Sequence, residues 1–247
     1  MQWICDLQRH EWGRYSQNGE DGVLQSIFHR IGGVAHGYYV EFGTEDAREC
    51  NTRYLREMHS WKGLLMDGQF ANASINLHKE WIAPENINDL FTKYEVPSTF
   101  DLLSIDVDFN DYWILDAIDR ERFSPRVIVI EINSHIPPHE PRVVAYEGPS
   151  ASWDGKSSFF GAGVGAIHLW GTKHGYSLVY CESHGVNCFL VRDDVLRNVS
   201  EDTMLVVSDV LSPEKVHAPT NFFGRGLSYP PPTPESGVIE DWVWLEA

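Results

Sequence analysis

The chain reads as an α/β protein: a mostly parallel, seven-stranded sheet with helices on both faces and a terminal antiparallel hairpin. Three observations predict this. Short apolar runs alternate with amphipathic stretches between residues 17 and 131. Four of those runs close on an acid, at Glu41, Asp67, Asp106 and Glu131. Two further runs, Tyr176–Cys181 and Asn187–Val191, are joined by the turn sequence ESHGV. Continuous apolar strands between helices require a parallel sheet covered on both faces.

Residues 17–32 place Val23, Leu24, Ile27, Phe28 and Ile31 on one helical stripe. Ser16 is placed to cap that helix, and Glu20 and Asp21 suit its first turn. Tyr38–Phe42 then reads as a buried strand closed by Gly43. Residues 50–59 read as a helix, Gly63–Met66 as a second strand ending at Asp67-Gly68, and Trp81–Ala83 as a third. Phe100–Ile105 is a fourth, residues 111–120 a helix, and Val127–Ile130 a fifth strand. A long connection over 132–158, rich in Pro, Ser and His, precedes a Gly-rich helix at 159–174 and the hairpin. Loops of that length in a compact domain are usually functional or disordered. Parallel strands closed by an antiparallel hairpin are the order expected of a class I methyltransferase sheet, a Rossmann-like arrangement. The domain is expected to span 1–195. Residues 196–247 form a Pro-rich extension ending in Trp242 and Trp244, packed on the domain or partly flexible.

Composition narrows the function. The 247 residues are 43% hydrophobic, enough for a sizeable core. Nineteen Lys and Arg against 36 Asp and Glu give a net charge of −17. Such a surface repels phosphate backbones and anionic lipid, so neither nucleic acid nor membrane is expected as a partner. No apolar run approaches the roughly 20 residues of a spanning helix. The first residues lack the apolar stretch of a signal peptide, so a cytoplasmic address is expected. Four Cys do not make a disulfide framework; Cys181 and Cys188 flank the hairpin and are expected as thiols. GxSxG and Walker A motifs are absent, which removes support for a serine hydrolase or a P-loop NTPase. Oligomeric state is not fixed by the sequence.

In open parallel sheets ligands bind beyond the carboxyl ends of the strands, where the four acids sit. The first cluster is Glu41-Phe-Gly43-Thr-Glu-Asp46, a strand, a tight turn and a helix, the geometry that lets backbone approach a nucleotide. It reads equally as a structural turn. The second cluster is Asp106, Asp108, Asn110 and Asp111, with Glu131, Asn133 and His135 on the neighbouring strand end. Carboxylate and amide oxygens suit Mg or Mn, and imidazole widens the choice of divalent metal. The competing reading makes Asp108 or Asn110 a helix cap and pairs Glu131 with Arg126 or Arg142. His135 and His139 lie in the long loop beside these acids, where one could act as a general base. Tyr146, Trp153, Asp154, Lys156, Phe159 and Phe160 either close a pocket or pack on one another.

The strings YSQNGEDGVL (15–24), EFGTEDARECNTRYL, WKGLLMDG, APENIND, FDLLSIDVDFNDYWIL, PRVIVIEIN and GYSLVYCESHGVNCFLVR follow one another along the chain. In that order they resemble the FkbM-type methyltransferase family over residues 15–195. SQNGED and SIDVDxND are the most specific pieces. The resemblance implies S-adenosylmethionine (SAM) as cofactor. Glu41 and Gly43 would lie against its methionine part, Asp67 would hold the ribose hydroxyls, and Glu85 and Asn86 would lie near the adenine. Asp106 would face the transferred group. The usual glycine loop is altered here, with Glu45 and Ala47 at two of its glycine positions, and Phe109 stands where relatives often carry Gly.

Three functions remain open on this reading. The first is methylation of a small-molecule acceptor, on oxygen, with Asp106, His135 and His139 as catalytic candidates and Asp106, Asp108, Glu131, Asn133 and His135 as metal ligands. The second is a divalent-metal enzyme on the same fold, catalysing hydrolysis, elimination or oxidation. The third is a non-catalytic binding module that uses the tail.

Overall fold

The computed structural model describes residues 2–33, 35–199 and 241–246. Most of the expected extension, residues 200–240, lies outside the described residues.

Helix α1 (Gln2–Cys5) precedes α2 (Glu20–Ile31). Ser16 Oγ accepts the Asp21 amide at 3.0 Å, and Asp21 Oδ2 accepts the amides of Arg14 and Tyr15 at 2.7 and 2.8 Å. The helix starts later than its periodicity suggested, so its cap position is Gly19 rather than Ser16; Ser16 instead accepts an amide of the first turn from outside the helix. Strands β1 (Tyr38–Phe42), β2 (Lys62–Asp67), β3 (Leu77–Lys79), β4 (Thr99–Ile105) and β5 (Ser124–Glu131) run parallel. Helices α3 (Arg53–His59), α4 (Ile87–Lys93) and α5 (Asp111–Ala117) lie between them in sequence. Strand β6 (Arg142–Val144), helix α6 (Val164–His174), strands β7 (Tyr176–Cys181) and β8 (Asn187–Arg192), α7 (Asp193–Val199) and β9 (Trp242–Trp244) complete the order.

The main sheet has seven strands in the order β3-β2-β1-β4-β5-β8-β7, with β8 antiparallel to both neighbours. Residues 102–105 of β4 and 127–130 of β5 are buried without alternation. Neighbouring strand residues point to opposite faces, so both faces of the sheet are covered. The structure is thus a Rossmann-like α/β fold with the expected edge hairpin. Cys181 and Cys188 are register partners across that hairpin, and no disulfide joins them.

Two elements differ from the sequence reading. The third strand lies at Leu77–Lys79, not at Trp81–Ala83. Asn76 takes a left-handed conformation (φ 57°) that turns the chain into β3, and 81–83 is a loop with Trp81 exposed. The Gly-rich helix begins only at Val164. Residues 161–163 are instead held in extended pairing: Val144 N donates to Gly161 O at 3.0 Å, and Gly163 N to Arg142 O at 2.9 Å.

Strand β6 pairs antiparallel with β9 in a separate two-stranded sheet, so the end of the extension packs on the domain. Helix α7 crosses the boundary expected at 195; Val195 and Leu196 are buried and α7 packs on α2. No helix among the described residues is long and apolar enough to cross a membrane.

Candidate functional site

The parallel strands end at one edge, and their packing there dictates Gly43. Its N–H donates to Met66 O at 3.1 Å while Asp106 N donates to Phe42 O at 3.2 Å, drawing the ends of β1, β2 and β4 together. A Cβ on Gly43 would lie 1.3 Å from the Asp106 carbonyl oxygen, and its φ is 77°. Only glycine fits.

The loop after β1 is pinned from below by Glu41. This buried carboxylate accepts the amides of Asn51 and Thr52 at 2.8 and 3.0 Å and the Thr52 hydroxyl at 2.5 Å. Burial raises its pKa, and these bonds oppose the rise. Within the loop Glu45 (φ 47°) and Ala47 (φ 58°) are both left-handed. The positions where a glycine loop would have glycine keep a glycine-like backbone without the residue. Left-handed backbone costs non-glycine residues about 1–2 kcal/mol each.

Two cavities open along this edge. The larger, about 690 Å³, is lined by Gly43, Glu45, Asp67, Phe70, Trp81 and Ile82 among others. The second, about 350 Å³, includes Glu20, Glu49, Glu131, His135, Trp153 and Asn187 in its wall. Both are lined by Gly43, Glu45, Asp106, Asp108 and Trp153. They are two lobes of one cleft that meet over Asp106 and Asp108.

At that meeting point one ligand atom each of Asp106, Asp108 and Glu131 lies within 4.8 Å of the others. Burial raises the Asp106 carboxyl well above its usual range, and Asp111, Asp108, Glu41 and Glu20 push it further. Glu131 is raised in the same way, by burial and then by Asp106, Asp111 and Asp108. Asp108, left-handed at φ 66°, is raised by burial and by Asp67. Asp111, fully buried, is pushed up to about 7 by burial, against the hydrogen bond it accepts from Val107 N. Glu131 Oε2 and Asp111 Oδ2 are buried with no hydrogen-bond partner among the described residues.

The competing structural roles are not realised. Arg126 pairs with Asp101 at 2.9 Å and Arg142 with Glu140 at 2.8 Å, so neither reaches Glu131. Asn110 stands at the cap position of α5 but makes no capping bond; its amide nitrogen donates to Gly148 O and Ala151 O at 3.3 and 3.4 Å. Clustered carboxylates with orphaned oxygens and no arginine partner among the described residues have the donor chemistry that hard divalent cations take.

The remaining site expectations separate. His135 lines the smaller lobe; His139 is exposed and lines neither. Asn133 is fully buried and works as a staple: its amide nitrogen donates to Ser158 O at 2.9 Å and Phe160 O at 2.8 Å, and its oxygen accepts His135 N at 3.0 Å. Asp67 lines the larger lobe, but its oxygens accept the amides of Glu45, Gln69 and Phe70 at 2.9, 2.7 and 3.1 Å. Glu85 accepts the Tyr146 hydroxyl at 2.6 Å, and Asn86 bonds Trp81 O and Ala83 N at 2.7 and 2.9 Å. Neither Glu85 nor Asn86 lines a lobe. The aromatic loop divides between its two readings. Trp153 and Phe160 wall the smaller lobe, whereas Phe159 packs on Phe109 and Trp242.

Glu20, Glu49 and Asn187 were not singled out as site residues. They come from the start of α2, the loop after β1 and the hairpin tip; Glu20 and Asn187 lie within the motif strings, but only the packing of α2 against the hairpin tip brings them to the cleft. Comparison of the chain with protein-family models and with curated proteins gives no match.

Proposed function

We propose that the chain is a SAM-dependent methyltransferase acting on oxygen of a small-molecule acceptor, with a divalent metal such as Mg or Mn held by Asp106, Asp108 and Glu131. The observation that carries this is the two-lobed cleft whose lobes meet over Asp106 and Asp108, with Glu131 beside them in the smaller lobe. Group transfer needs two sites that share one reacting point, and positioning supplies much of such a rate. The strand order and the motif resemblance to FkbM-type enzymes support the same reading.

The larger lobe suits the cofactor. Trp81 and Phe70 offer exposed aromatic faces for a flat base, and Trp81 is fixed by its bond to Pro149 O at 2.6 Å. SAM carries a sulfonium and an ammonium against one carboxylate, so its net charge is positive. Glu45, Asp67, Asp106 and Asp108 line this lobe, with no Lys or Arg among the described lining residues. The smaller lobe suits the acceptor, with His135 in its wall to take the hydroxyl proton and Trp153 and Phe160 to exclude water. When bound, the metal would lower the pKa of the acceptor hydroxyl.

Titration calorimetry with SAM on metal-stripped protein, repeated with manganese, tests the reading. Micromolar binding supports it; no binding in either state overturns it. One observation favours a second reading, metal chemistry other than methylation. Glu45 lines the larger lobe, where its carboxylate would face the methionine carboxylate of SAM, and Asp67 is already engaged by three amides. Manganese binding without SAM binding would select that alternative.

A further inference from the structure

The wall of the smaller lobe is one-sided in charge. Seven carboxylates line it, from Glu20, Glu41, Glu45, Glu49, Asp106, Asp108 and Glu131. No Lys or Arg lines it among the described residues, and its histidines are His135 and His184. One divalent ion neutralises two charges, and the three carboxylates that would hold it account for only part of the wall.

A second, independent observation concerns hydrogen bonding. Asn187 lines the lobe and is 4% exposed. Its amide nitrogen donates to Glu20 Oε1 at 2.8 Å, which fixes the orientation of the group. Its amide oxygen is thereby left buried without a partner among the described residues. A buried acceptor without a donor is costly, by about 1–3 kcal/mol. The lobe therefore holds unpartnered oxygens on two directly paired residues, Asn187 Oδ1 on β8 and Glu131 Oε2 on β5. Trp153 and Phe160 add aromatic surface, and a cation over an aromatic face is attracted to it.

We infer that the acceptor of this lobe is a small hydroxylated amine, recognised as its ammonium form by Glu20, Glu49 and Asn187 while its hydroxyl points to Asp106 and Glu131. An ammonium supplies up to three donors and a positive charge, and so meets both deficits together. This rests on the assignment of the smaller lobe as the acceptor lobe. The volume of about 350 Å³ suits a single ring with a short chain.

The probes are two isosteric pairs, tyramine with tyrosol and glucosamine with glucose, which differ by an ammonium against a hydroxyl. Binding to the full chain is measured at neutral pH, first metal-free and then with magnesium, without SAM. Each amine is expected to bind about tenfold more tightly than its neutral partner. High salt should shrink that ratio, and exposed Glu49→Gln should lower it severalfold with an unchanged melting temperature. Glu20→Gln serves as the stronger variant, with circular dichroism confirming that it folds. Equal binding of the pair members, preference for the neutral member, or no binding of either amine overturns the inference. Because SAM is left out, a failure here is separable from a failure of SAM binding, which tests the methyltransferase reading by itself.

Discussion

Metal-free protein should lose stability as the pH rises from about 4 to about 7, the reverse of ordinary acid denaturation. The cause is a set of acids whose folded pKa exceeds the unfolded value. Asp111 is fully buried and moves from 3.8 to about 7; Glu182, also fully buried, moves from 4.5 to about 7, in both cases through burial first. An acid raised in the fold holds a proton there that the unfolded chain releases. Stability is then fully present below the unfolded pKa and falls until the pH passes the folded one. At 1.36 kcal/mol per pH unit, Asp111 alone is worth roughly 4 kcal/mol by neutrality, against a total of about 5–15 kcal/mol for a domain. Glu80, held low by its hydrogen bond from Lys93, works in the opposite direction but only in more acidic solution. Urea titrations across this pH range, in chelator, read the slope. Asp111→Asn keeps the acceptor for Val107 N, and it should remove the Asp111 share of the slope. Magnesium should restore stability at high pH, by about 2.7 kcal/mol at a hundredfold excess over its dissociation constant. Stability that is flat or rising with pH in the metal-free protein would refute the account of uncompensated acids.

Four further outcomes follow from the cleft. Gly43→Ala should destabilise by about 3–5 kcal/mol, from left-handed strain plus the clash with Asp106 O, read as a fall in urea midpoint. Glu45→Gly, at an exposed left-handed position, should stabilise by about 1 kcal/mol and raise Tm by roughly 2–4 °C. Trp81→Ala should weaken SAM binding about tenfold or more with little change in Tm, since the ring is exposed and base stacking is worth about 1–3 kcal/mol. SAM should bind more tightly than its neutral thioether product, and calorimetry in rising salt should shrink the difference.

Much of the sheet was legible because its strands are uninterrupted apolar runs. Tyr38–Phe42 coincides with β1, and Tyr176–Cys181 with β7. The edge strand β3 was misplaced because Leu-His-Lys carries almost no apolar signal, while Trp-Ile-Ala four residues on does. Helix α4 went unread although Ile87, Leu90 and Phe91 have helical spacing, because that spacing covers barely two turns. The β6–β9 sheet joins segments far apart in sequence, and no local period reports such a pairing. The same division holds at the site. Asp106, Asp108 and Glu131 were visible because strand ends in a parallel sheet converge on one edge. Asn133 was assigned a ligand role from its place beside Glu131, but its amide closes the long loop instead. Glu20 and Asn187 reach the cleft only through the packing of α2 against the hairpin tip, which the sequence does not encode locally.

The strain and the charge in this protein share an address. Glu45, Ala47 and Asp108 take left-handed backbone, Gly43 is compressed against a carbonyl, and the uncompensated acids stand over the same strand ends. Backbone strain and unpaired charge persist where the surrounding fold over-determines them, and they cluster at sites that do work. A merely structural turn needs neither: Arg126 and Arg142 are near enough in sequence to have paired with Glu131, yet each is committed to another acid. Among the described residues the fold thus keeps Lys and Arg away from the cleft. A cofactor of net positive charge, a divalent ion and an ammonium-bearing acceptor are each drawn to such a cleft by the same field. Their order of binding then follows from charge: each cation bound lowers the attraction for the next, so the metal-loaded protein should hold SAM less tightly through the field, though more productively through position.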